Sequence, residues 1–259
     1  MIPGSPRDGG RDAAPPGSIM LGAARLIVDP VLSLVFPAWC PSCAAPVDRP
    51  TRGPLCEACW DALPVHEAEC ACGQPLAAPL ASSCGRCRRG LGPFTRGASL
   101  GPYAGPLRVL VHELKYRGRR RAAARLAECL LARPSVRGTL QDADVVVPVP
   151  LHPRRKRERG FNQSEELARA LGRAGGLAVA PTALVRRTDT VSQSGLSAAA
   201  RRRNVAGAFA VRGRAQVAGR VVVLVDDVYT TGATARACAA ALREGGAREI
   251  RVVTVARVH

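Results

Sequence analysis

Aromatic residues and lysine are both scarce in this chain. Phe, Trp and Tyr make up 3% of the 259 residues, so a core has to be built mainly from Val, Leu and Ala. Lysine occurs only at Lys115 and Lys156, and the rest of the 38 basic residues are arginine. With 20 acidic residues the formal net charge is +18, which attracts phosphates and nucleic acid in a salt-dependent way. Genomic base composition is the alternative reason for the excess of Arg and Ala.

Several targeting and nucleotide-binding signals are also absent. The chain has no GxxxxGK[ST] loop and no GxGxxG turn, which argues against a P-loop or a dinucleotide-binding fold. No secretory signal is visible, and the apolar stretch 21–36 is broken by Arg25, Asp29 and Pro30 and is short for a membrane span. We therefore expect no integral membrane segment and a cytoplasmic protein, with peripheral contact at the inner face of a membrane as the alternative.

The first 92 residues divide into three parts by composition. Residues 1–20 are rich in Gly and Pro and are expected to be a disordered tail. Residues 21–39 predict a short apolar helix packed on the body of the protein. Residues 40–92 hold eight of the ten cysteines and predict a zinc ribbon, because so small a segment needs a metal to replace a core.

The cysteines pair in short motifs. Two CxxC motifs separated by twelve residues have the spacing of a tetrahedral four-thiolate zinc site. A second group contains a CxC in place of one CxxC, so it predicts a second zinc less strongly, and a single zinc with bystander cysteines is the alternative. The first candidate ligands are Cys40, Cys43, Cys56 and Cys59. The second are Cys70, Cys72, Cys84 and Cys87.

Residues 93–259 alternate apolar runs with Ala-rich helical patterns, which predicts an α/β domain with a mostly parallel sheet flanked by helices. The most informative run is VVVLVDDVYTTGAT, residues 221–234. Five continuous apolar residues predict a strand covered on both faces. Asp226 and Asp227 follow, then a turn of small residues and a helix from Ala233. A helix N-terminus favours a phosphate, and paired acids suit a sugar diol, so this segment predicts a sugar-phosphate pocket.

Two further runs carry basic side chains. In the first, a strand at 145–149 leads through Leu151 and His152 into five basic residues between Arg154 and Arg159, with Asn162 or Ser164 capping a helix that starts near Glu165. This basic loop lies where ligands bind in open α/β sheets, and it predicts contact with a pyrophosphate, with a solvated loop or a nucleic-acid patch as alternatives. The second run, residues 185–211, is a long polar loop and is therefore expected to be functional or disordered. Lys115 or Arg117 is a further candidate for a phosphate contact, as opposed to a solvated basic face.

The chain resembles the ComF family, the phosphoribosyltransferase-like proteins of bacterial competence. The resemblance rests on CPSC and CEAC, LKYRG, VPVPLHPRRKRERGFNQS, QSGLSAAARRRNVAGAF and the run VVVLVDDVYTTGAT. It implies a type I phosphoribosyltransferase fold, with the zinc ribbon in place of a variable hood. It also implies binding of 5-phosphoribosyl-1-pyrophosphate (PRPP) or a related ribose phosphate with Mg²⁺, structural Zn²⁺, and a role in handling incoming single-stranded DNA, with a DNA-uptake helicase as a partner.

The resemblance also implies roles for individual residues. Asp226 and Asp227 would hold the ribose hydroxyls at the catalytic centre, and the rest of the PRPP motif would be Val228, Tyr229, Thr230, Thr231, Gly232, Ala233 and Thr234. Candidates on the pyrophosphate side are Pro150, Leu151, His152, Arg154, Arg155 and Arg157. Candidates on a mobile loop are Gln193, Ser194, Arg201, Arg202 and Arg203. Purine-salvage relatives often carry Asp at the position of Thr230, so turnover is left open. A non-catalytic nucleic-acid-binding module, using the zinc ribbon and the Arg-rich loops, is the alternative function.

Overall fold

The computed structural model describes residues 29, 37–66, 69–76, 84, 87, 93–116, 121–188 and 207–258. The mobile-loop candidates Gln193, Ser194, Arg201, Arg202 and Arg203 lie outside these residues, as do Arg117, the predicted tail and most of the predicted helix at 21–39.

A four-stranded parallel sheet forms the centre of the fold. Its strands are β1 (Arg96–Pro102), β2 (Val145–Pro148), β5 (Val221–Tyr229) and β6 (Glu249–Arg257), and their order across the sheet is β1-β6-β5-β2. A single parallel bridge between Val146 and Val179 continues the sheet beyond β2. The predicted α/β architecture is confirmed.

Both faces of the sheet are covered, which explains why β5 is continuously apolar. The helices are α1 (Glu57–Asp61), α2 (Gly105–Tyr116), α3 (Arg121–Ala132), α4 (Pro134–Leu140), α5 (Pro153–Arg159), α6 (Gln163–Gly175) and α7 (Ala233–Glu244). Val223 and Val225 belong to the core cluster that α2, α3 and α6 form on one face. Val222 and Leu224 belong to the cluster that α7 forms on the other face. Alternate residues of one strand therefore serve two separate cores.

A small antiparallel pair packs beside α7. It consists of β3 (Leu184–Arg186) and β4 (Phe209–Val211), with Val185 paired to Ala210. The pair brings the chain on either side of residues 189–206 to the same edge of the domain as the N-terminus of α7.

The cysteine-rich segment docks on the sheet domain at two places. Near the first cluster, Arg125 of α3 donates to Glu57 of α1 (Nη1 to Oε1, 2.9 Å) and its guanidinium lies 4.4 Å from the centroid of the Trp60 ring. Near the second cluster, Gly97 of β1 donates its backbone N–H to the carbonyl of Ala71 at 2.8 Å. The ribbon therefore extends the edge of the sheet beyond β1. Across the ranges that the structure describes, no helix is long and apolar enough to cross a membrane.

Candidate functional site

A pocket opens at the carboxyl ends of β2 and β5, the position where open α/β sheets bind ligands. Its volume is about 270 Å³. Ten of the fourteen lining residues have polar or charged side chains, and the other four are apolar. The lining residues are Tyr103, Lys115, Val149, Pro150, Leu151, Arg155, Gln163, Ser164, Arg186, Asp226, Asp227, Val228, Thr230 and Thr234.

Both predicted acids reach this pocket, each held by a different partner. Asp226 accepts through Oδ1 from the Ser164 hydroxyl and from the backbone N–H of Asp227, both at 2.9 Å. These bonds leave Asp226 Oδ2 available to a ligand. Asp227 is 5% exposed, and its Oδ2 lies 2.9 Å from the Lys115 ammonium. The two carboxyls are therefore oriented before any ligand arrives.

The two acids lie in different electrostatic environments. Burial, and then the negative charge of Asp227, raises the pKa of Asp226 to about 7. Burial is the largest single influence and lowers the pKa of Lys115. The charge and hydrogen bond of Asp227, together with the charge of Asp226, outweigh burial, so this pKa is raised above its ordinary value. Lys115 is therefore positive near neutrality, whereas Asp226 exchanges a proton there. A sugar hydroxyl that reaches Asp226 can thus meet a carboxyl that is able either to accept or to donate.

The turn after β5 has the geometry of an anion-binding loop. Gly232, at φ +72°, is the N-cap of α7 and has no side chain to cap the helix. The Ala233 N–H donates to the Thr231 hydroxyl at 3.4 Å, and the N-terminus of the helix favours an anion. A Cβ on Gly232 would collide with the Tyr229 hydroxyl, so glycine is required by space as well as by φ. Arg236 braces the turn by donating to the Thr231 carbonyl at 2.9 Å.

The basic run is a helix and not the loop that the sequence suggested. It forms α5, in which Pro153 occupies the first turn and the His152 side chain accepts from the Arg154 N–H at 3.4 Å. Of the pyrophosphate-side candidates, Pro150, Leu151 and Arg155 line the pocket. Arg154 is exposed and pairs with Glu158 at 2.9 Å, and Arg157 is exposed. The helix thus directs one arginine toward the pocket and others toward solvent.

Two pocket residues have partners that the sequence did not predict, and two others were not identified from the sequence. Lys115 was considered as a phosphate ligand, but its ammonium contacts an acid. Ser164 was considered as a helix cap, but Asn162 caps α6, and the serine hydroxyl binds Asp226. Arg186 and Tyr103 enter the pocket from β3 and from the end of β1, and no local motif marks either one. Only the fold brings them to the site.

The cysteines form two clusters that fit zinc. Within each cluster the sulfur atoms all lie within 4.8 Å of one another, and the members are those predicted: Cys40, Cys43, Cys56 and Cys59, then Cys70, Cys72, Cys84 and Cys87. The Sγ atoms of Cys43 and Cys56 are 3.5 Å apart, and those of Cys72 and Cys84 are 3.6 Å apart. A tetrahedral site with Zn–S bonds of about 2.3 Å requires sulfurs about 3.8 Å apart. The CxC in the second group therefore does not prevent a four-sulfur arrangement.

The parallel sheet, the acid pair and the anion-binding turn define a phosphoribosyltransferase-type domain. Residues 157–259 match the family model described as a phosphoribosyl transferase domain, and residues 31–88 match the double zinc ribbon domain. The chain is 38% identical over 230 residues to DNA utilization protein YhgH of Salmonella typhimurium, covering 86% of this chain and 99% of that protein. It is 32% identical over 181 residues to Competence protein F of Haemophilus influenzae, covering 68% and 79% respectively. The chain therefore belongs to the ComF family.

One solved structure shares part of the fold at low similarity. The glutamine PRPP amidotransferase from B. subtilis, complexed with ADP and GMP, is 25% identical with a TM-score of 0.38. The match covers 56% of this chain and 30% of that one.

Proposed function

We propose that this protein binds PRPP, or a closely related ribose phosphate, in the pocket at the ends of β2 and β5. The observation that carries the proposal is that the acid pair, the anion-binding turn and two arginines, Arg155 and Arg186, border one pocket. A ligand with a diol between two phosphorylated ends needs these three kinds of partner. The pocket offers all of them on rigid elements, as a preorganised site requires.

Each part of the ligand has a proposed partner. Asp226 and Asp227 would hold the ribose 2′- and 3′-hydroxyls, and the turn from Thr230 to Thr234 would bind the 5′-phosphate through backbone N–H groups. Arg155 and Arg186 would neutralise the pyrophosphate end. Mg²⁺ fits as a companion of the ligand, because Asp226 keeps one oxygen available and Mg²⁺ is usually held by one or two carboxylates together with substrate phosphates. It would offset charge on the pyrophosphate.

Calorimetry of the full-length, zinc-loaded protein with PRPP and Mg²⁺ tests the proposal. We expect binding that Asp227→Asn and Arg155→Gln each weaken by about tenfold or more, since each removes a charge-assisted contact. Arg157→Gln is the matched control, because Arg157 lies on the same helix but is exposed to solvent. Absence of PRPP binding in the unmodified protein, or equal losses in Arg155→Gln and Arg157→Gln, would contradict the proposed site.

Turnover is tested separately by pyrophosphate release. If an acceptor is used, its nucleophilic atom forms a bond to C1 of the ribose while the bond from C1 to the pyrophosphate oxygen breaks. A screen over nucleobases and oligonucleotides with the unmodified protein would detect the released pyrophosphate. Release that Asp227→Asn abolishes indicates a transferase, and tight binding without release for any acceptor indicates a binding protein.

We further propose that the pocket serves the handling of single-stranded DNA. The names of the relatives motivate this role, and the exposed arginines of α5 beside the pocket offer a place for a backbone contact. Such a role would place the protein in the cytoplasm with a DNA-uptake helicase. Arg154→Gln and Arg157→Gln should weaken oligonucleotide binding and lower its salt slope by about 0.7 per lost contact, without changing PRPP affinity.

The alternative, a nucleic-acid module centred on the zinc ribbon, is disfavoured by the charge of the ribbon. Residues 40–92 contain five basic residues, Arg49, Arg52, Arg86, Arg88 and Arg89, and five acids, Asp48, Glu57, Asp61, Glu67 and Glu69. Phosphate contacts need a basic surface. The ribbon sequence carries no net positive charge, whereas α5 has five basic residues and one acid, so α5 is better suited to DNA. Oligonucleotide binding that is unchanged by the two α5 substitutions would instead favour the ribbon as the DNA-binding surface.

A further inference from the structure

A buried arginine at the end of β6 connects the second cysteine cluster to the sheet domain. Arg257 is 3% exposed. Its guanidinium donates to the carbonyl of Cys72 at 2.8 Å and to the side-chain oxygen of Gln74 at 3.1 Å. Cys72 is itself a member of the second cluster. The acceptors of this arginine therefore belong to a segment whose own conformation depends on its cysteines.

The same guanidinium also contacts the strand that leads into the anion-binding turn. It stacks on Tyr229, with the guanidinium carbon 4.2 Å from the ring centroid, and Tyr229 is buried. The Tyr229 hydroxyl lies against Gly232, where a Cβ would have no room. The ring thus fills the space beneath the N-terminus of α7, and a rotation of the ring would change the space available to the turn.

The backbone of Arg257 reaches the opposite wall of the pocket. Its carbonyl accepts from the N–H of Tyr103 at 2.8 Å, and Tyr103 lines the pocket. One residue therefore holds Tyr103 through its main chain and Tyr229 through its side chain. Both of these contacts occur at the end of the sheet where the ligand is proposed to bind.

The ribbon packs so closely against β1 that a movement of the ribbon would displace the strand. A parallel bridge joins Cys72 to Gly97 of β1. A Cβ on Gly97 would lie 2.7 Å from the Cys72 carbonyl, and one on Gly73 would lie 3.1 Å from the Gly97 carbonyl. Two glycines thus permit backbone-to-backbone packing, and a shift of the second cluster would be transmitted to β1 and to Arg257.

We infer that Arg257 is a positioning residue that couples metal loading of the second cysteine cluster to the shape of the anion-binding turn. The ligand in this inference comes from the proposed function, but the contacts of Arg257 that carry the inference do not depend on that function. Without metal, a segment this small cannot hold Cys72 and Gln74 in place. The buried guanidinium would then lose its acceptors, the Tyr229 ring would lose its stacking partner, and the turn at Gly232 would lose its support.

Two matched cysteine variants of the full-length, zinc-loaded protein test the coupling. Cys87→Ser removes a ligand of the second cluster, whose member Cys72 accepts from Arg257. Cys43→Ser removes a ligand of the first cluster, beside which Glu57 pairs with Arg125 of α3. We expect Cys87→Ser to weaken PRPP binding by about tenfold, within the usual range of coupling between sites. Cys43→Ser should lose the same amount of zinc and leave PRPP affinity unchanged.

A second substitution separates coupling from general destabilisation. In an Arg257→Met background, PRPP binding is already weakened, and adding Cys87→Ser should change it by less than about twofold, because the two changes break one connection. Arg257→Lys keeps the charge but cannot both stack and donate to two acceptors, so it should restore little of the affinity. Unchanged PRPP affinity in Cys87→Ser, or effects of Cys87→Ser and Arg257→Met that multiply, would overturn the inference.

Hydrogen exchange of residues 226–236 provides a readout that needs no ligand. Faster exchange in Cys87→Ser but not in Cys43→Ser supports the coupling, even if the unmodified protein fails to bind PRPP and the proposed function is rejected. Equal exchange in the two variants would overturn the coupling while leaving the proposed function intact.

Discussion

The environment of Asp226 predicts that replacing it by asparagine stabilises the protein in a pH-dependent way. Burial raises the pKa of Asp226 to about 7 from an ordinary value of 3.8. If this difference were fully expressed, the cost of the ionised carboxylate would reach about 4 kcal/mol, since one pKa unit corresponds to about 1.4 kcal/mol. Screening at the pocket mouth reduces this, and we expect Asp226→Asn to add about 2 kcal/mol to the free energy of unfolding above neutrality.

The sign follows from the direction of the pKa change. The folded protein binds a proton at Asp226 more tightly than the unfolded chain does. The stability that this group contributes is therefore fully present below its ordinary pKa, and it is lost as pH rises through about 7. Asparagine keeps an oxygen to accept from Ser164 and from the Asp227 N–H but never ionises. The advantage of the variant should thus be larger at about pH 8.5 than at about pH 5.5, by about 1 kcal/mol.

Urea unfolding of the two proteins at both pH values measures the difference directly. Asp61→Asn, a change at an exposed carboxylate on α1, is the control, and it should shift stability little at either pH. A stabilisation by Asp226→Asn that is equal at the two pH values, or a loss of stability at both, would refute the reasoning. PRPP affinity should also rise with pH through about 7 in the unmodified protein, more than in the variant, because only the former gains a carboxylate for the ligand.

Three further predictions concern single contacts. Lys115→Met should destabilise the protein by about 3 kcal/mol in urea unfolding, because it leaves Asp227 buried without its cation, and Lys115→Arg should recover part of the loss. Gly232→Ala should cost about 2 kcal/mol or more through its positive φ and the collision with Tyr229, and calorimetry should show that it abolishes anion binding at the turn. Glu57→Gln should loosen α1, beside the first cysteine cluster, from α3, because it removes the charge that Arg125 binds. Hydrogen bonding from Arg125 lowers the pKa of the Glu57 carboxyl. The stabilising effect of the ionised Glu57 carboxylate is therefore present above its ordinary pKa and lost as pH falls. Faster proteolysis of the ribbon in the variant should detect the change.

The parts of the fold that were predicted correctly are those with local causes. Five consecutive apolar residues at 221–225 form a strand because both faces of the sheet are covered, and the turn that follows requires a glycine at 232. The cysteine spacing identified both clusters, and the structure shows that Cys70 and Cys72 share a cluster despite their CxC spacing. In each case a few neighbouring residues determine the outcome.

The helix α5 was predicted wrongly, although it also has local causes. A run of five basic residues has no apolar stripe, and like charges repel each other, so the sequence pattern did not indicate a helix. Pro153 in the first turn, the cap from His152 and the Arg154–Glu158 pair four residues apart all favour a helix. The next helix begins at Gln163, two residues before the predicted start, because Asn162 and not Ser164 is its cap.

The pairing of Lys115 with Asp227, and the position of Arg186, could not be predicted from the sequence. Lys115 and Asp227 come from α2 and β5, and only the packing of α2 on the sheet brings them within 2.9 Å. Arg186 lies on a three-residue strand whose pairing with β4 spans a long stretch of chain. Such contacts follow from tertiary arrangement: the motifs that contain Lys115 and Asp227 do not indicate that the two side chains meet, and no motif marks Arg186.

The order of the strands has a consequence for how this protein matures on the ribosome. β1 begins at Arg96, but its neighbour in the sheet, β6, begins at Glu249. One edge of β1 therefore has no strand to pair with until nearly the whole chain has been translated. The ribbon is translated earlier and can shield the other side through the bridge at Gly97. An uncovered strand edge invites aggregation, so nascent chains that stall before β6 should depend strongly on chaperones.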